Sequence, residues 1–258
     1  MNWVKEWNSS IKQSSYLKIL KDKDISNDEF WKRLDYYDEL MAYSRYPGKI
    51  IDRISFFLSS NDNLVDIGAG TGAFSIPMSK MLNKIIAVDP SPHQLKILRQ
   101  KAHNNQCNNI FYIDKEWKDV QIEELGTIDY SLAAYSFFED DISSFIKKSI
   151  SVASKGIFLI FRAGMGDPLR EFVYETKNSV DYECLYNILL EMGYLFNVDL
   201  FTSDYTLPLS LVYRSYPFTN KTEEEIFDYL KNNNRIIQDS DGYHVLCQRR
   251  DALLYFIK

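Results

Sequence analysis

The chain has 258 residues, of which 45% are hydrophobic, so it is long enough for one large globular domain with additions or for two small ones. Its 30 Lys and Arg residues are outnumbered by 36 Asp and Glu residues, and the net charge of −6 disfavours a protein that grips a nucleic-acid backbone. The polar N-terminus lacks the apolar core of a signal peptide, and no apolar run approaches the ~18 residues of a membrane span.

Cysteine and histidine are rare and scattered along the chain. The three cysteines are odd in number and far apart, and the three histidines form no cluster. This distribution predicts neither a disulfide framework nor a metal site. A reducing compartment suits such cysteines, so we expect a cytoplasmic protein without a membrane partner.

The chain before the first strand predicts helices rich in large aromatic residues. The first apolar residues recur at helical spacing: Trp3, Trp7 and Ile11. A capping box, Ser26-x-x-Glu29, predicts a helix that runs from there to Met41. Two interpretations stay open: the segment packs on the main domain as a helical cap, or it is a lid whose Tyr43 or Tyr46 touches a ligand.

Residues 64–74 read LVDIGAGTGAF, an apolar run that enters a loop with glycine at every second position. The pattern predicts a buried strand over 64–67, a tight loop, and an amphipathic helix over 74–82. Glycine lets a backbone turn sharply and lets a ligand approach the bare main chain. We therefore expect a site for the polar part of a small nucleoside-like ligand.

The position of Asp66 discriminates between two such ligands. Dinucleotide sites use G-x-G-x-x-G, whereas this loop is G-x-G-x-G with Asp66 two residues before its first glycine. A carboxylate there would repel a pyrophosphate but attract a cation. S-adenosylmethionine carries an ammonium and a sulfonium and no phosphate, so the spacing favours it. The alternative is an ordinary turn aspartate.

A second acidic residue, Asp89, ends the next predicted strand, 84–89, and lies 17 residues beyond Gly72. A carboxylate at that strand end can accept both hydroxyls of a ribose. Alternatively, Asp89 is an acidic residue at the entry of the helix that Ser91 caps and Pro92 begins.

The later elements continue the alternation of strands and helices. Further strands are predicted over 109–113, 128–134 and 157–161, and a helix over 142–152 is ended by Lys155-Gly156. Such alternation predicts a mostly parallel, doubly wound α/β sheet with a ligand at the carboxyl ends of its strands. Beyond residue 163 the pattern predicts helices over 181–192 and 222–230, and extended segments over 196–207 and 243–257 that could form an antiparallel hairpin.

Four motifs, in this order and spacing, resemble those of the class I S-adenosylmethionine-dependent methyltransferases over roughly residues 46–162. They are Val65–Gly72, Val88–Ser91, Glu116-Trp117 and Ile128–Ser131. The resemblance implies a Rossmann-like fold with an N-terminal helical cap, 1–45, and a methyltransferase domain, 46–258. Lid and substrate-specificity insertions are expected within 163–240.

The resemblance also implies a binding site for S-adenosylmethionine, whose product is S-adenosylhomocysteine. The backbone of Gly68, Ala69 and Gly70 would lie against the methionyl part and the sugar. Asp66 would act on the ammonium, Asp89 would bind the ribose, and Glu116 could accept from the adenine amine. Further residues would line the site: Tyr46, Pro90, Trp117, Ala134 and Tyr135. Trp117 fits a stacking wall and plain core equally well.

The acceptor is the open question. Amino methyltransferases that act on nucleobases carry Asn/Asp-Pro-Pro-aromatic after the fourth strand, whereas this chain has AAYSFF over 133–138, and no cysteine lies there for cytosine C5 chemistry. We expect in-line methyl transfer to a small, partly apolar molecule, and assign no catalytic base. The alternatives are a non-catalytic S-adenosylmethionine-binding regulator or subunit, and methylation of a protein or RNA.

Overall fold

A computed structural model describes residues 2–34, 36–138, 141–164, 166–176 and 180–258. The strands of this part of the chain form one sheet: β1 (Asn63–Ile67), β2 (Lys84–Val88), β3 (Ile110–Ile113), β4 (Ile128–Ala134), β5 (Ala153–Arg162), β6 (Asn197–Pro208), β7 (Ile236–Asp239) and β8 (Gly242–Ile257). The first helices are α1 (Trp3–Lys12), α2 (Ser15–Lys23), α3 (Asn27–Lys32), α4 (Tyr37–Ser44), α5 (Gly48–Ser55), α6 (Ser75–Met78) and α7 (Pro92–Asn104). The later helices are α8 (Ile122–Leu125), α9 (Ile142–Val152), α10 (Pro168–Tyr174), α11 (Tyr182–Glu191), α12 (Leu209–Arg214) and α13 (Glu223–Asn232).

The sheet has the strand order β3-β2-β1-β4-β5-β8-β6, with β7 paired to β8. Strands β1 to β5 are parallel, while β8 runs antiparallel to β5, β6 and β7. The predicted doubly wound α/β sheet with antiparallel C-terminal strands is therefore confirmed. Its consequence for a site is that the carboxyl ends of β1, β2, β4 and β5 lie along one edge.

Both faces of the sheet are covered, because successive side chains of a strand point to opposite faces. Val65 and Ile67 of β1 belong to the core cluster that includes residues of α1, α9 and α11. Leu64 belongs to the opposite cluster, which includes residues of α5 and α7. No helix in the described ranges is long and apolar enough to cross a membrane.

The helix expected from the Ser26 capping box to Met41 is two helices, α3 and α4. Phe30 packs with Ile19 and Phe218, whereas Tyr36 lies in a separate cluster with Leu207. Helix α3 ends at Lys32 and α4 begins at Tyr37, and each of the two rings enters a different cluster. Asp35 lies outside the described residues.

The helix expected over 74–82 is limited to the single turn of α6. Pro77 has no N–H to donate within the helix. The Asn109 side chain then donates to the carbonyl oxygens of Ser79 and Leu82, at 2.9 and 2.8 Å, outside a helical ladder.

Lys155 and Gly156 lie inside β5 rather than between a helix and a strand. The strand begins at Ala153, directly after α9, and Gly156 pairs with Tyr130 on one side and Ile257 on the other. A Cβ atom on Gly156 would come within 2.7 Å of the Phe256 carbonyl oxygen. This glycine therefore permits close strand packing and does not end the helix.

Trp7 of α1 anchors the N-terminal helices to the sheet. Its side chain is 0% exposed, and its ring centroid lies 5.1 Å from that of Phe161 and 6.3 Å from that of Phe137. We expect Trp7→Ala to lower the free energy of unfolding by about 3–5 kcal/mol, because it leaves a large cavity. Urea titration followed by circular dichroism measures the change.

The control for this variant is Phe56→Ala, which removes an aromatic ring that is 79% exposed. It should change the free energy of unfolding by no more than about 0.5 kcal/mol. Equal effects of the two substitutions would contradict the anchoring role of Trp7.

Candidate functional site

The glycine loop after β1 is fastened to the end of β2. The Val88 carbonyl oxygen accepts from the N–H groups of Gly68 and Ala69, at 2.8 and 3.0 Å. One carboxylate oxygen of Asp89 accepts from the Gly70 N–H at 2.8 Å, and the other accepts from the Ser91 N–H at 2.9 Å. The end of β2 thus sets the path of the loop and the start of α7 together.

Gly68 also brings the loop against the end of β4. Its φ of +73° is in the left-handed region, and a Cβ atom there would lie 2.3 Å from Cβ of Ser136. The Ser136 hydroxyl donates to the Ile67 carbonyl oxygen at 2.7 Å. Only glycine fits this approach, so the loops after β1 and β4 form one continuous surface.

Two buried carboxyl groups lie at this surface. Asp66 is 2% exposed and accepts from the Ser75 hydroxyl at 2.6 Å. Burial raises the pKa of Asp66 to about 7, and the nearby charge of Asp89 adds to the effect. Burial likewise raises the pKa of Asp89 to about 6. Within the described part of the chain neither carboxyl has a cationic partner, so a positively charged ligand would favour their ionised forms.

The N-terminal helices reach the same edge of the sheet. Asp28 of α3 accepts from the Ser91 hydroxyl at 2.7 Å and from the His93 N–H at 2.9 Å. Asp38 of α4 accepts from the hydroxyl of Thr71, in the glycine loop, at 2.6 Å. These contacts tie α3 and α4 directly to the loop and to the first turn of α7.

Tyr16 of α2 lies beside two of the predicted site residues. Burial raises its pKa to about 12, and the charges of Asp89 and Glu116 contribute to that rise. Its hydroxyl donates to Asn27 at 2.7 Å, and its ring packs 4.8 Å from that of Phe138. The hydrogen bond and the ring contact of Tyr16 therefore hold α2 against α3 and against the loop that follows β4.

A wall of aromatic rings borders the loop on the side towards β5. The Tyr46 ring lies 5.8 Å from Phe74 and 6.4 Å from Tyr135, between centroids. The Arg249 guanidinium lies 3.7 Å from the Tyr46 ring centroid and pairs with Asp251 at 2.8 Å. Tyr135 donates its hydroxyl to Asp251 at 2.6 Å.

Residues 64–156 match the sequence profile of a family described as "Methyltransferase domain". The methyltransferase match over these residues and the doubly wound fold support a class I S-adenosylmethionine-dependent methyltransferase. This confirms the predicted family and, with it, S-adenosylmethionine as the methyl donor that the family uses.

The curated relatives of this methyltransferase are similar to it over short segments. A 23S rRNA (uracil(1939)-C(5))-methyltransferase of Pasteurella multocida is 34% identical over 56 residues, which are 21% of this chain and 13% of the relative. A tRNA (guanine(37)-N(1))-methyltransferase of Drosophila melanogaster is 37% identical over 75 residues, or 29% of this chain and 16% of the relative. The chain therefore spans less than a fifth of the length of either relative.

Among solved structures, a putative methyltransferase from Bacillus halodurans superposes with a TM-score of 0.59 at 16% identity. The match covers 81% of this chain and 97% of that one. At this identity the likeness concerns the fold.

The fold of this methyltransferase brings some of the predicted site residues together and leaves others apart. Asp66, Gly68–Gly70 and Asp89 meet at the loop, with Ala134 and Tyr135 at the neighbouring strand end. Pro90 is exposed, and Glu116 is half-exposed and paired with Lys118. Trp117 is 4% exposed and packs in the core beneath the Lys148 ammonium, which lies 4.7 Å from its ring centroid.

Sequence reasoning missed several residues at this edge: Tyr16, Asp28, Asp38, Arg162 and Arg249. They lie on α2, α3, α4, β5 and β8, outside the four motifs. A weak signal existed for Asp28, an acidic residue in the first turn after the capping box. The others carry no local pattern that distinguishes them from surface residues.

The raised pKa of Asp66 predicts how stability depends on pH. Its folded-state pKa of about 7 exceeds the ordinary value of about 3.9, so between these values the folded chain retains a proton that the unfolded chain releases. The free energy of unfolding should therefore fall as the pH rises from 4.5 to 7.5. The fall is at most about 1.4 kcal/mol for each unit by which folding raises the pKa. Urea titrations of the ligand-free chain measure the slope.

The Asp66→Asn variant should lose this part of the pH dependence, because an amide does not titrate in that range. The exposed Asp52→Asn variant is the matched control and should keep the wild-type slope. A wild-type slope in Asp66→Asn would mean that burial does not shift this carboxyl.

Proposed function

We propose that this chain transfers the methyl group of S-adenosylmethionine to a small-molecule acceptor by in-line displacement at the sulfonium. The observation that carries the proposal is the pair of buried carboxyl groups, Asp66 and Asp89, beside the glycine loop. Burying a carboxylate without a cation is unfavourable, so the pair suits a cationic, phosphate-free ligand.

In the proposed donor site the residues divide by the part of the ligand that each would meet. The backbone of Gly68–Gly70 would contact the methionyl part and sugar, and Asp66 the ammonium. Asp89 would accept the ribose hydroxyls through the lone pairs that Gly70 and Ser91 leave unused. Glu116 would accept from the adenine amine, and the remaining residues would line the site: Tyr46, Pro90, Trp117, Ala134 and Tyr135.

We further propose that residues 1–45 act as a cap on a methyltransferase domain of residues 46–258. The hydrogen bonds of Asp28 and Asp38 support this, because they tie α3 to the first turn of α7 and α4 to the glycine loop. Residues 163–240 would hold the parts that select the acceptor. The scattered cysteines support a cytoplasmic location.

The bound donor would supply an activated methyl group on a sulfonium. The chain's own contribution would be to align the acceptor and exclude water. Burial raises the pKa of Tyr46 and of Tyr135 well above the ordinary value of a phenol, so both stay protonated near neutral pH. They serve as walls of the site, and no catalytic base is assigned.

A second candidate function is methylation of RNA, which the names of the Pasteurella and Drosophila relatives favour. The net charge of −6 opposes it, because RNA binding needs positive charge along the phosphate path. The aromatic wall of Tyr46 and Tyr135 supports the small acceptor, since enclosed ligand sites are mostly apolar with few polar groups.

Methyl transfer is tested by incubating the chain with donor labelled in its methyl group and a cell extract separated by size. We expect label in the small-molecule fraction. Label in RNA or protein would favour the second candidate or a protein acceptor. Donor binding without any labelled product would contradict both and favour a non-catalytic regulator or subunit.

The Asp89→Ala variant tests the donor site by itself. Loss of a charged hydrogen-bonding partner for the ribose, together with a loosened loop, should weaken S-adenosylhomocysteine binding by about 100-fold or more in calorimetry. The exposed Asp52→Ala variant should bind as the wild type does, and circular dichroism establishes that both variants are folded. Unchanged affinity in Asp89→Ala would overturn the assignment of this residue.

A further inference from the structure

Arg162, the last residue of β5, lies at the edge that carries the glycine loop and makes no ion pair with the residues that the structure describes. Its Nε atom is buried and has no hydrogen-bond partner in the described part of the chain. The acidic residue opposite it in the register is Asp251, which already pairs with Arg249 and accepts from Tyr135. Arg162 is therefore left with a cation–π contact to the ring of Phe161, at 5.0 Å.

Arg170 of α10 lies near enough to repel it. Burial has the largest effect on the pKa of Arg162 and lowers it. Tyr135 raises this pKa, the charge of Arg170 lowers it again, and Asp181 and Glu171 oppose Arg170 with smaller effects. Asp181 accepts from the N–H groups of Gly164 and Glu183 and makes no ion pair with Arg162.

Arg170 itself is held by neutral partners. Its Nε donates to the Ser15 hydroxyl at 2.8 Å, and its guanidinium lies 5.5 Å from the Tyr174 ring centroid. It forms no ion pair with a carboxylate of the described residues. Two partly buried guanidinium groups that repel one another are stabilised by an anion between them.

The position of this pair relates it to the acceptor rather than to the donor. Arg162 ends the strand beside β4, and Tyr135 directly follows β4. The Tyr135 ring packs 5.7 Å from Phe161 and 6.4 Å from Tyr46. Arg162 thus lies on the β5 side of the aromatic wall, with Arg170 near it, whereas Asp66 lies on β1 and Asp89 directly follows β2.

We propose that the methyl acceptor carries an anionic group, a carboxylate or a phosphate, which Arg162 and Arg170 bind while its apolar body lies against Tyr135. This inference rests on the proposed function, because it names the acceptor class of the same site. A guanidinium presents parallel N–H donors that match either anion, and an aromatic wall suits a flat apolar body.

Calorimetry on the full chain saturated with S-adenosylhomocysteine tests the charge requirement with three probes: benzoate, phenyl phosphate and benzamide. Benzamide has nearly the shape of benzoate but no charge. We expect benzoate, phenyl phosphate or both to bind about 10- to 100-fold more tightly than benzamide, as charged hydrogen bonds do. Which anion binds more tightly distinguishes a carboxylate from a phosphate acceptor.

The Arg162→Gln variant should lose this preference, whereas Arg162→Lys, which keeps the charge, should retain part of it. The matched control is Arg250→Gln, which removes an exposed arginine whose side chain, by strand alternation, points to the face opposite Arg249. It should bind the probes as the wild type does. The substitution removes no ion pair with a described residue, so Arg162→Gln should keep the wild-type thermal midpoint. If its midpoint falls, the anion preference of Arg162→Lys is measured instead.

Equal binding of benzamide and both anions, or an anion preference that survives in Arg162→Gln, would overturn the inference, as would no binding of either anion. Repeating the titration without S-adenosylhomocysteine separates the inferred anion site from the proposed function. The chain could bind anions through Arg162 and yet fail to bind S-adenosylhomocysteine. That result would support the anion site and contradict the donor assignment. Label recovered in products retained on an anion-exchange resin would support both.

Discussion

The end of β2 is the constraint on which the rest of the site depends. Within two residues it makes hydrogen bonds to three other elements. The Val88 carbonyl holds the first two residues of the glycine loop, and the Asp89 N–H donates to Ile113 of β3. The Asp89 carboxylate then holds Gly70 and the N-cap residue of α7. Any ligand on the loop is therefore positioned by β1, β2, β3 and α7 as one unit.

This arrangement costs free energy in the ligand-free protein. It buries two carboxyl groups at neighbouring strand ends, and burial raises both pKa values. A site whose charges are compensated only by its ligand binds that ligand selectively, because an uncharged or anionic competitor leaves the carboxylates unpaired. The N-terminal helices contact the same edge through Asp28 and Asp38.

The two sides of the site differ in charge. The proposed donor side, at β1 and β2, is acidic, and the proposed acceptor side, at β5 and α10, presents Arg162 and Arg170. A cationic donor and an anionic acceptor would each be drawn to its own side, and like charges would oppose the reverse arrangement. Between the two sides stand Tyr46 and Tyr135, with Arg249 against both rings.

Much of the fold, and the glycine loop with its two carboxyl groups, were predictable because their causes are local in the chain. The strand, glycine loop and Asp66 occur within about ten consecutive residues, and alternating apolar segments predict a parallel sheet with Asp89 at a strand end. The helix after the loop was overestimated, because the side chain of Asn109 from another part of the chain takes its carbonyl groups. Gly156 was read as a helix stop, because only the packed sheet reveals how closely its neighbours approach.

The sequence by itself determined the sheet, the loop and the two carboxylates, since hydrophobic periodicity and glycine spacing act between near neighbours. Only the tertiary structure decided what surrounds them. Tyr16, Asp28 and Asp38 precede the loop by 30 residues or more, and Arg162 and Arg249 follow it by 90 or more. Their roles depend on burial, on which charges find partners, and on which strand ends meet. Those are properties of the packed molecule, and no local pattern encodes them.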